Sequence, residues 1–186
     1  VLLMEQQTGQ LLFEQNAQEA LAPASLTKLM ALLLIFEALE DGTLTMDQTL
    51  TCSAYAKTMG GSEIWLKEGE QMTVEDLLKA LIVASANDAA VVFAEALAAT
   101  EEAFVQRMNE KAQELGLQDS TFYNSNGLPE EGHLSSAYDL AQITRAAMAY
   151  PEFLDYAGAE GYSIPEGEQN AAHAASGYAR AGHRLL

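Results

Sequence analysis

The sequence predicts an α+β domain in which a helical body packs on an antiparallel sheet, of which only an N-terminal hairpin is clearly present. Two observations support this prediction. Short apolar runs flank Thr8-Gly9, which is the pattern of two strands joined by a turn. Most of the later chain has the apolar spacing and the capping residues of helices. With 186 residues, 49% of them hydrophobic, the chain is long enough for one core.

The first predicted helix is the most apolar segment of the chain. It begins at Ser25, runs to Glu40 and stops at Asp41-Gly42, with apolar residues on nearly every face. A helix that is apolar all round belongs inside a domain. We therefore expect this helix to lie in the core.

Capping residues and stop signals delimit four more helices. They run from Thr73 to about Val83, from Asn87 or Asp88 to near Thr100, from Thr100 to Gly116, and from Ser136 to Tyr150 before Pro151. The Ser85-Ala86-Asn87 segment then forms a tight corner between the second and third helices.

Charge and cysteine content exclude several classes of protein. Nine basic residues against 27 acidic ones give a net charge of −18, which repels phosphate backbones, so we expect no nucleic-acid partner. A single cysteine, Cys52, cannot form an internal disulfide. No Cys/His cluster accompanies it, so we expect neither a structural zinc site nor any other cofactor.

Nothing in the sequence has the length of a membrane span. The longest apolar stretch, Leu29 to Phe36, is far shorter than the roughly 20 residues that a span needs. The chain begins at Val1 without a basic, apolar leader, so we expect any signal peptide or membrane anchor to lie outside it.

Ser25 and Lys28 are the first candidates for chemistry. A spacing of three on a helix places a hydroxyl and an amine on one face. A serine becomes a good nucleophile when a base removes its proton, and burial can lower the pKa of a lysine enough for it to be that base. The alternative is a helix-capping serine beside a solvated lysine.

Ser85 and Asn87 are the second pair of candidates. At a helix corner, a hydroxyl could relay a proton and an amide could hold a substrate amide. The alternative is that Asn87 simply caps the third helix. Ser-x-x-Lys followed by Ser-x-Asn makes two of the three motifs of penicillin-binding proteins and serine β-lactamases.

The sequence resembles the serine D-alanyl-D-alanine carboxypeptidases, the low-molecular-weight penicillin-binding proteins, over roughly residues 1–164. The matching segments, in order, are Met4-Glu5 to Gly9-Gln10, Pro23-Ala24-Ser25-Leu26-Thr27-Lys28-Leu29-Met30, Gly60-Gly61-Ser62 to Leu66 and Gly69, Asp76-Leu77-Leu78, Ile82 to Ala89, Leu115-Gly116-Leu117, Thr121-Phe122, Gly127-Leu128 and His133 to Ala141. The resemblance implies a β-lactamase/DD-peptidase-like fold.

The resemblance also implies roles for the candidate residues. Ser25 would be the acyl-enzyme nucleophile, Lys28 its general base, Ser85 a proton relay and Asn87 a contact to the substrate amide. The oxyanion hole of this family uses the backbone N–H of the nucleophilic serine, aided by the positive end of its helix. His133, Trp65 and Tyr123 are more simply interpreted as packing residues, although the two aromatics could line a cleft.

One family motif does not occur in this sequence. None of the five lysines is followed by Thr-Gly or Ser-Gly, so the third motif, Lys-Thr/Ser-Gly, is missing. We therefore expect residues 1–164 to be a transpeptidase-like domain that is incomplete at its C-terminal end, truncated before this motif. We expect residues 165–186, rich in alanine and glycine, to be an irregular tail.

The function that this resemblance implies is removal of the terminal D-alanine from peptidoglycan stem peptides ending in D-Ala-D-Ala, through an acyl-enzyme that β-lactams also form. The implied location is the cell envelope, outside the cytoplasm. A β-lactamase or esterase of the same superfamily is one alternative. A catalytically inactive fragment that acts as a binding module is another. An uncovered sheet edge at the hairpin would favour a homo-oligomer.

Overall fold

The computed structural model describes residues 1–158. Within this range the chain forms six α-helices and two small antiparallel sheets. The strands are β1 (Leu2–Met4), β2 (Leu11–Glu14), β3 (Thr49–Thr51) and β4 (Gln71–Thr73); the helices are α1 (Lys28–Glu40), α2 (Val74–Val83), α3 (Asn87–Ala98), α4 (Glu101–Glu114), α5 (Ala137–Ala147) and α6 (Pro151–Ala157). The predicted tail, residues 165–186, and the last residues of the predicted domain lie outside the described residues.

The N-terminal hairpin is confirmed. Strands β1 and β2 pair antiparallel, with Leu2 opposite Glu14, and the register shifts after Leu3. Arg145 of α5 donates from Nε to the carbonyl oxygen of Gln6 at 2.9 Å and so ties the hairpin turn to the helical body.

Helix α1 runs through the middle of the core, as its all-round apolar sequence predicts. One buried cluster joins one side of α1 to α2 and α3. A second cluster joins its other side to α4 and α5. The predicted start at Ser25 is wrong for the α-helix itself, because Ala24–Thr27 form a separate 3₁₀ turn and α1 begins at Lys28.

Three of the predicted helix starts are confirmed by their side-chain caps. The hydroxyls of Thr73, Thr100 and Ser136 accept hydrogen bonds from backbone N–H groups of α2, α4 and α5, respectively. Each cap satisfies a backbone donor that the helix itself leaves unpaired. The acidic residues in these first turns also lie at the positive end of the helix dipole.

The C-terminal boundaries and the second sheet differ from the prediction. Helix α5 ends at Ala147, three residues before the predicted end, and α6 follows with Pro151 in its first turn. Strands β3 and β4 pair Thr49–Thr51 with Gln71–Thr73 and were not predicted. No helix within residues 1–158 combines the length and the apolar character that crossing a membrane demands.

Candidate active site

Ser25 lies on the 3₁₀ turn immediately before α1 and is exposed to solvent. In a 3₁₀ turn residues three apart are eclipsed, so the Ser25 and Lys28 side chains lie close together. The distance from Lys28 Nζ to Ser25 Oγ is 3.3 Å. Neither the 3₁₀ turn nor α1 has a side-chain cap, and Lys28 is only 3% exposed, so the alternative of a capping serine and a solvated lysine is wrong.

The Lys28 amine makes two further hydrogen bonds, both shorter than its contact with Ser25. Nζ donates to Asn87 Oδ1 at 2.6 Å and to the carbonyl oxygen of Asn126 at 2.7 Å. These acceptors come from α3 and from the loop of residues 124–128, so three distant parts of the chain meet at one nitrogen.

Burial lowers the pKa of Lys28 from its ordinary value of 10.5 to about 8. Withdrawal of the ammonium from water is the main cause, and the nearby carboxylate of Asp88 acts in the opposite direction. At pH 7 about a tenth of the Lys28 side chains are therefore neutral, compared with far fewer for a solvated lysine.

Asn87 begins α3 and connects Lys28 to the loop of residues 60–66. Its Nδ2 donates to the carbonyl oxygen of Gly60 at 2.6 Å, while its Oδ1 accepts from Lys28. The N-terminal cap position belongs to Ala86, without a side-chain capping bond, so the interpretation of Asn87 as a helix cap is wrong.

The next residue, Asp88, holds the same loop through hydrogen bonds to its backbone. It is fully buried, and its carboxylate accepts backbone N–H groups of Ile64 and Leu66 at 3.2 and 3.0 Å. Trp65, between these two donors, has a φ of +57° and is 58% exposed. Positive φ is strained for a bulky side chain, so Asp88 stabilises an unfavourable loop conformation beside the site.

The 124–128 loop closes the other side of the Lys28 amine. Gly127 has a φ of +89° and lies very close to the 3₁₀ turn of Ala24–Thr27. A Cβ atom at Gly127 would overlap the Ala24 carbonyl. Ser125 is fully buried, and both its backbone N–H and its hydroxyl donate to Glu101 Oε1, at 2.9 and 2.6 Å. Glycine and one buried carboxylate thus position this loop.

Ser85 lies at the predicted corner between α2 and α3. It is half-buried and has a φ of +55°, a left-handed conformation that is uncommon outside glycine. Among residues 1–158 its side chain has no hydrogen-bond partner. Strained backbone of this kind clusters at functional sites.

His133 is buried beneath the 3₁₀ turn, in agreement with a packing role. Its Nδ1 accepts the backbone N–H of Tyr123 at 3.2 Å, so Nε2 carries the proton and donates to Thr27 Oγ1 at 2.8 Å. Burial lowers the pKa of His133, which favours the neutral ring. Trp65 and Tyr123 are 58% and 54% exposed, so neither belongs to the core, and their place in a cleft stays a prediction.

The structure joins three of the four candidate residues, Ser25, Lys28 and Asn87, by hydrogen bonds and places Ser85 at the corner between α2 and α3, without a hydrogen bond to them within residues 1–158. The role of the Asn126 carbonyl as an acceptor for Lys28 was not predicted. Every residue has a backbone carbonyl, so the sequence offers only the Asn126-Gly127 turn signal at this position. In the part of the chain that the structure describes, no group of three or more His, Cys, Asp or Glu could hold a metal ion.

Comparisons with known proteins identify the family of this chain. A sequence model of the D-alanyl-D-alanine carboxypeptidase family matches residues 1–177. The chain is 47% identical over 157 residues to D-alanyl-D-alanine carboxypeptidase DacF of Bacillus subtilis, a match that covers 84% of this chain and 40% of DacF. The chain therefore spans about two fifths of that relative.

Solved structures show the same fold. Penicillin binding protein 6B from Escherichia coli is 36% identical with a TM-score of 0.83, over 90% of this chain and 56% of that one. Penicillin-Binding Protein D2 from Listeria monocytogenes, in an ampicillin-bound form, is 30% identical with a TM-score of 0.70, over 86% of this chain and 65% of that one. From its family match, its relatives and its fold, this chain belongs to the D-alanyl-D-alanine carboxypeptidase family.

Proposed function

We propose that this chain carries the acylation machinery of a serine D-Ala-D-Ala carboxypeptidase, with Ser25 as nucleophile and Lys28 as general base. The observation that carries the proposal is the set of three contacts at Lys28 Nζ. A neutral amine has two N–H groups and one lone pair. The two short bonds, to Asn87 Oδ1 and the Asn126 carbonyl, use both N–H groups, so the lone pair is left for the Ser25 hydroxyl.

The reaction follows from this arrangement. Neutral Lys28 accepts the proton of Ser25 as Oγ attacks the carbonyl carbon of the penultimate D-alanine. The backbone N–H of Ser25 stabilises the oxyanion. The peptide bond breaks, the amine of the terminal D-alanine takes up a proton, and D-alanine leaves. Water then attacks the acyl-enzyme ester and releases the shortened peptide with Ser25 restored.

Ser85 and Asn87 have supporting roles in this proposal. The strained, half-buried Ser85 relays a proton toward the leaving amine. Asn87 holds Lys28 through Oδ1, and its Nδ2 binds the substrate amide in place of the Gly60 carbonyl. β-Lactams acylate Ser25 by the same route, because their strained amide occupies the position of the D-Ala-D-Ala bond.

We also infer the setting in which the domain acts. Peptidoglycan stem peptides ending in D-Ala-D-Ala are exposed outside the cytoplasm, so an enzyme that trims them works in the cell envelope. We assign this function to a transpeptidase-like domain of residues 1–164.

The test is covalent labelling of this chain with a fluorescent penicillin, followed by mass spectrometry of the adduct. We expect the adduct on Ser25, none in Ser25→Ala, and a loss of at least about a hundredfold in Lys28→Met. Lys67→Met is the matched control, since Lys67 is exposed and takes no part in the three Lys28 contacts. A folded wild-type chain that gains no adduct would overturn the proposal.

Product analysis separates the related chemistries. With a synthetic peptide ending in D-Ala-D-Ala, we expect release of free D-alanine at a rate that Ser25→Ala abolishes. A penicilloyl adduct that persists for many minutes fits a carboxypeptidase. Rapid turnover of penicillin without release of D-alanine would instead identify a β-lactamase.

We also propose that the hairpin supports self-association. Its side chains Val1, Leu3, Leu12 and Phe13 are each more than half exposed in the described structure. Exposed apolar strands can pair with another copy of the chain. Light scattering should give a mass above that of the monomer for the wild type and a lower one for Phe13→Lys. A monomeric wild type would contradict self-association.

A further inference from the structure

The 124–128 loop supplies the Asn126 carbonyl that accepts one N–H of Lys28, and the way this loop is itself held points to a residue outside the catalytic motifs. Hydrogen bonds within the loop make it a rigid unit: Asn124 Oδ1 accepts from the Gly127 N–H at 2.7 Å, and Asn126 Oδ1 accepts from the Leu128 N–H at 2.9 Å. The position of the Asn126 carbonyl therefore depends on how the whole unit is attached to the body.

Glu101, in the first turn of α4, makes that attachment. It is 5% exposed, and its Oε1 accepts two hydrogen bonds from Ser125, the residue beside Asn126. Its Oε2 accepts the Tyr55 hydroxyl at 2.7 Å. A contact at 3.7 Å between Asn126 Nδ2 and Met59 Sδ adds a weaker link. Hydrogen bonds to a buried carboxylate are stronger than those between neutral groups.

We propose that Glu101 is a positioning residue for acylation: by anchoring Ser125 it places the Asn126 carbonyl against Lys28 Nζ and keeps the Lys28 lone pair aimed at Ser25. The proposal rests on the proposed function, since it assumes that neutral Lys28 accepts the Ser25 proton. It assigns to Glu101 a role through the loop and no contact with substrate.

The proposal predicts more than a loss of stability. When the loop is released, Lys28 loses the acceptor that directs one of its N–H groups and becomes more hydrated. The groups facing Lys28 are Ser25 from the 3₁₀ turn, Asn87 and Asp88 from α3, and Asn126 from the loop; of these four, Asp88 carries a charge. Since Asp88 stays in place, added hydration moves the pKa of Lys28 upward from about 8 toward 10.5.

Glu101→Ala tests this in the full chain. We expect the rate of penicillin acylation at pH 7 to fall about tenfold or more, and the pH at which the rate is half-maximal to rise by about one unit. Glu101→Gln should recover most of the rate, because its Oε1 can accept from Ser125 and its Nε2 can donate to the Tyr55 oxygen. Glu102→Ala is the matched control, because it removes the same charge from the same helix turn at an exposed position.

A second readout does not depend on acylation. The titration of Lys28 can be followed by NMR in protein labelled at lysine Cε, with Lys28→Met identifying the signal. We expect a higher pKa in Glu101→Ala and a wild-type value in Glu102→Ala. If Glu101→Ala is folded and both its titration and its pH profile match the wild type, the role of Glu101 is purely structural and the proposal is overturned.

Failure of the proposed function gives a different result. A wild-type chain that forms no penicillin adduct overturns the general-base assignment, while the Lys28 titration still decides whether Glu101 controls the environment of the amine. If Glu101→Ala does not fold, Glu101→Gln and Tyr55→Phe carry the same two measurements. We then expect the acylation rate to fall, and the pKa of Lys28 to rise, in the order wild type, Glu101→Gln, Tyr55→Phe. The opposite order contradicts the proposal.

Discussion

Lys28 is an amine kept almost entirely from water, and this has a consequence for stability. Its pKa is about 8 in the folded chain, below the ordinary 10.5, so between these two values the unfolded chain binds more protons than the folded one. Stability then rises with pH across this interval. Below pH 8 the penalty for burying the charge is fully present, and it is relieved as the amine loses its proton.

We therefore expect the pH dependence of unfolding to change when Lys28 is removed. From pH 7 to pH 10, the free energy of unfolding of the wild type should increase by about 2 kcal/mol relative to Lys28→Met. Urea unfolding at four pH values measures this difference, and other titrating groups cancel in the comparison. Parallel curves for the two proteins would show that the pKa of Lys28 is not lowered.

Gly127 allows the 124–128 loop to lie close to the Ala24-Ser25 peptide. A Cβ at this position would overlap the Ala24 carbonyl and come within 3.0 Å of the Ser25 nitrogen. We expect Gly127→Ala to displace the Ala24-Ser25 peptide and to slow acylation by about a hundredfold, on the scale of a misplaced catalytic group.

The matched control is Gly116→Ala, because Gly116 also has a positive φ, +71°, but no atom lies within 4 Å of a Cβ there. The same backbone strain should lower stability by about 1 kcal/mol and leave acylation unchanged. Equal acylation rates in Gly116→Ala and Gly127→Ala would contradict the overlap argument.

At the scale of elements, the loop of residues 60–66 depends on one carboxylate of α3. Asp88 accepts from the backbone of Ile64 and Leu66 on either side of Trp65. We expect Asp88→Ala to lower the free energy of unfolding by about 2–4 kcal/mol, because it leaves two buried donors without a partner.

The single tryptophan reports on this loop directly. In Asp88→Ala the Trp65 fluorescence should have lower anisotropy than in the wild type, since the segment around it is released. Asp47→Ala, which removes an exposed carboxylate that accepts from Thr45, serves as the control. Unchanged anisotropy in Asp88→Ala would show that the loop has other anchors.

The sequence predicts elements well where a local signal fixes them. Three helix starts could be predicted from their capping residues, Thr73, Thr100 and Ser136, because a cap involves only residues three apart in the sequence. Strands β3 and β4 have three residues each, and Leu50 and Met72 are their buried side chains, so no alternating pattern could be recognised.

The same distinction applies to the candidate site. The proximity of Ser25, Lys28 and Asn87 could be predicted because these side chains occur at a recognisable spacing in the sequence. The Asn126 carbonyl and the role of Glu101 were not found, since main-chain acceptors and contacts between distant segments leave no local pattern. The 3₁₀ turn before α1 was also missed, because its sequence is compatible with either type of helix.

At the scale of the whole molecule, the net charge of −18 works against the compact state. Screening by salt weakens this repulsion. We expect the melting temperature to rise by a few degrees when NaCl is increased from about 10 to 150 mM. Lys67→Glu takes the charge from −18 to −20 and should steepen this dependence; a melting temperature that is insensitive to salt would contradict the expectation.

The contacts that assemble the site also bear on the order of events during folding. Lys28 meets Asn87 and Asn126 across 59 and 98 residues of chain, and Thr27 meets His133 across 106. Closing loops of this size is entropically costly, and contacts between distant residues form slowly. A nascent chain would therefore expose the Ser25 hydroxyl long before Lys28 is in place beside it, and, under the proposed function, reactivity toward penicillin would mark the completion of tertiary structure.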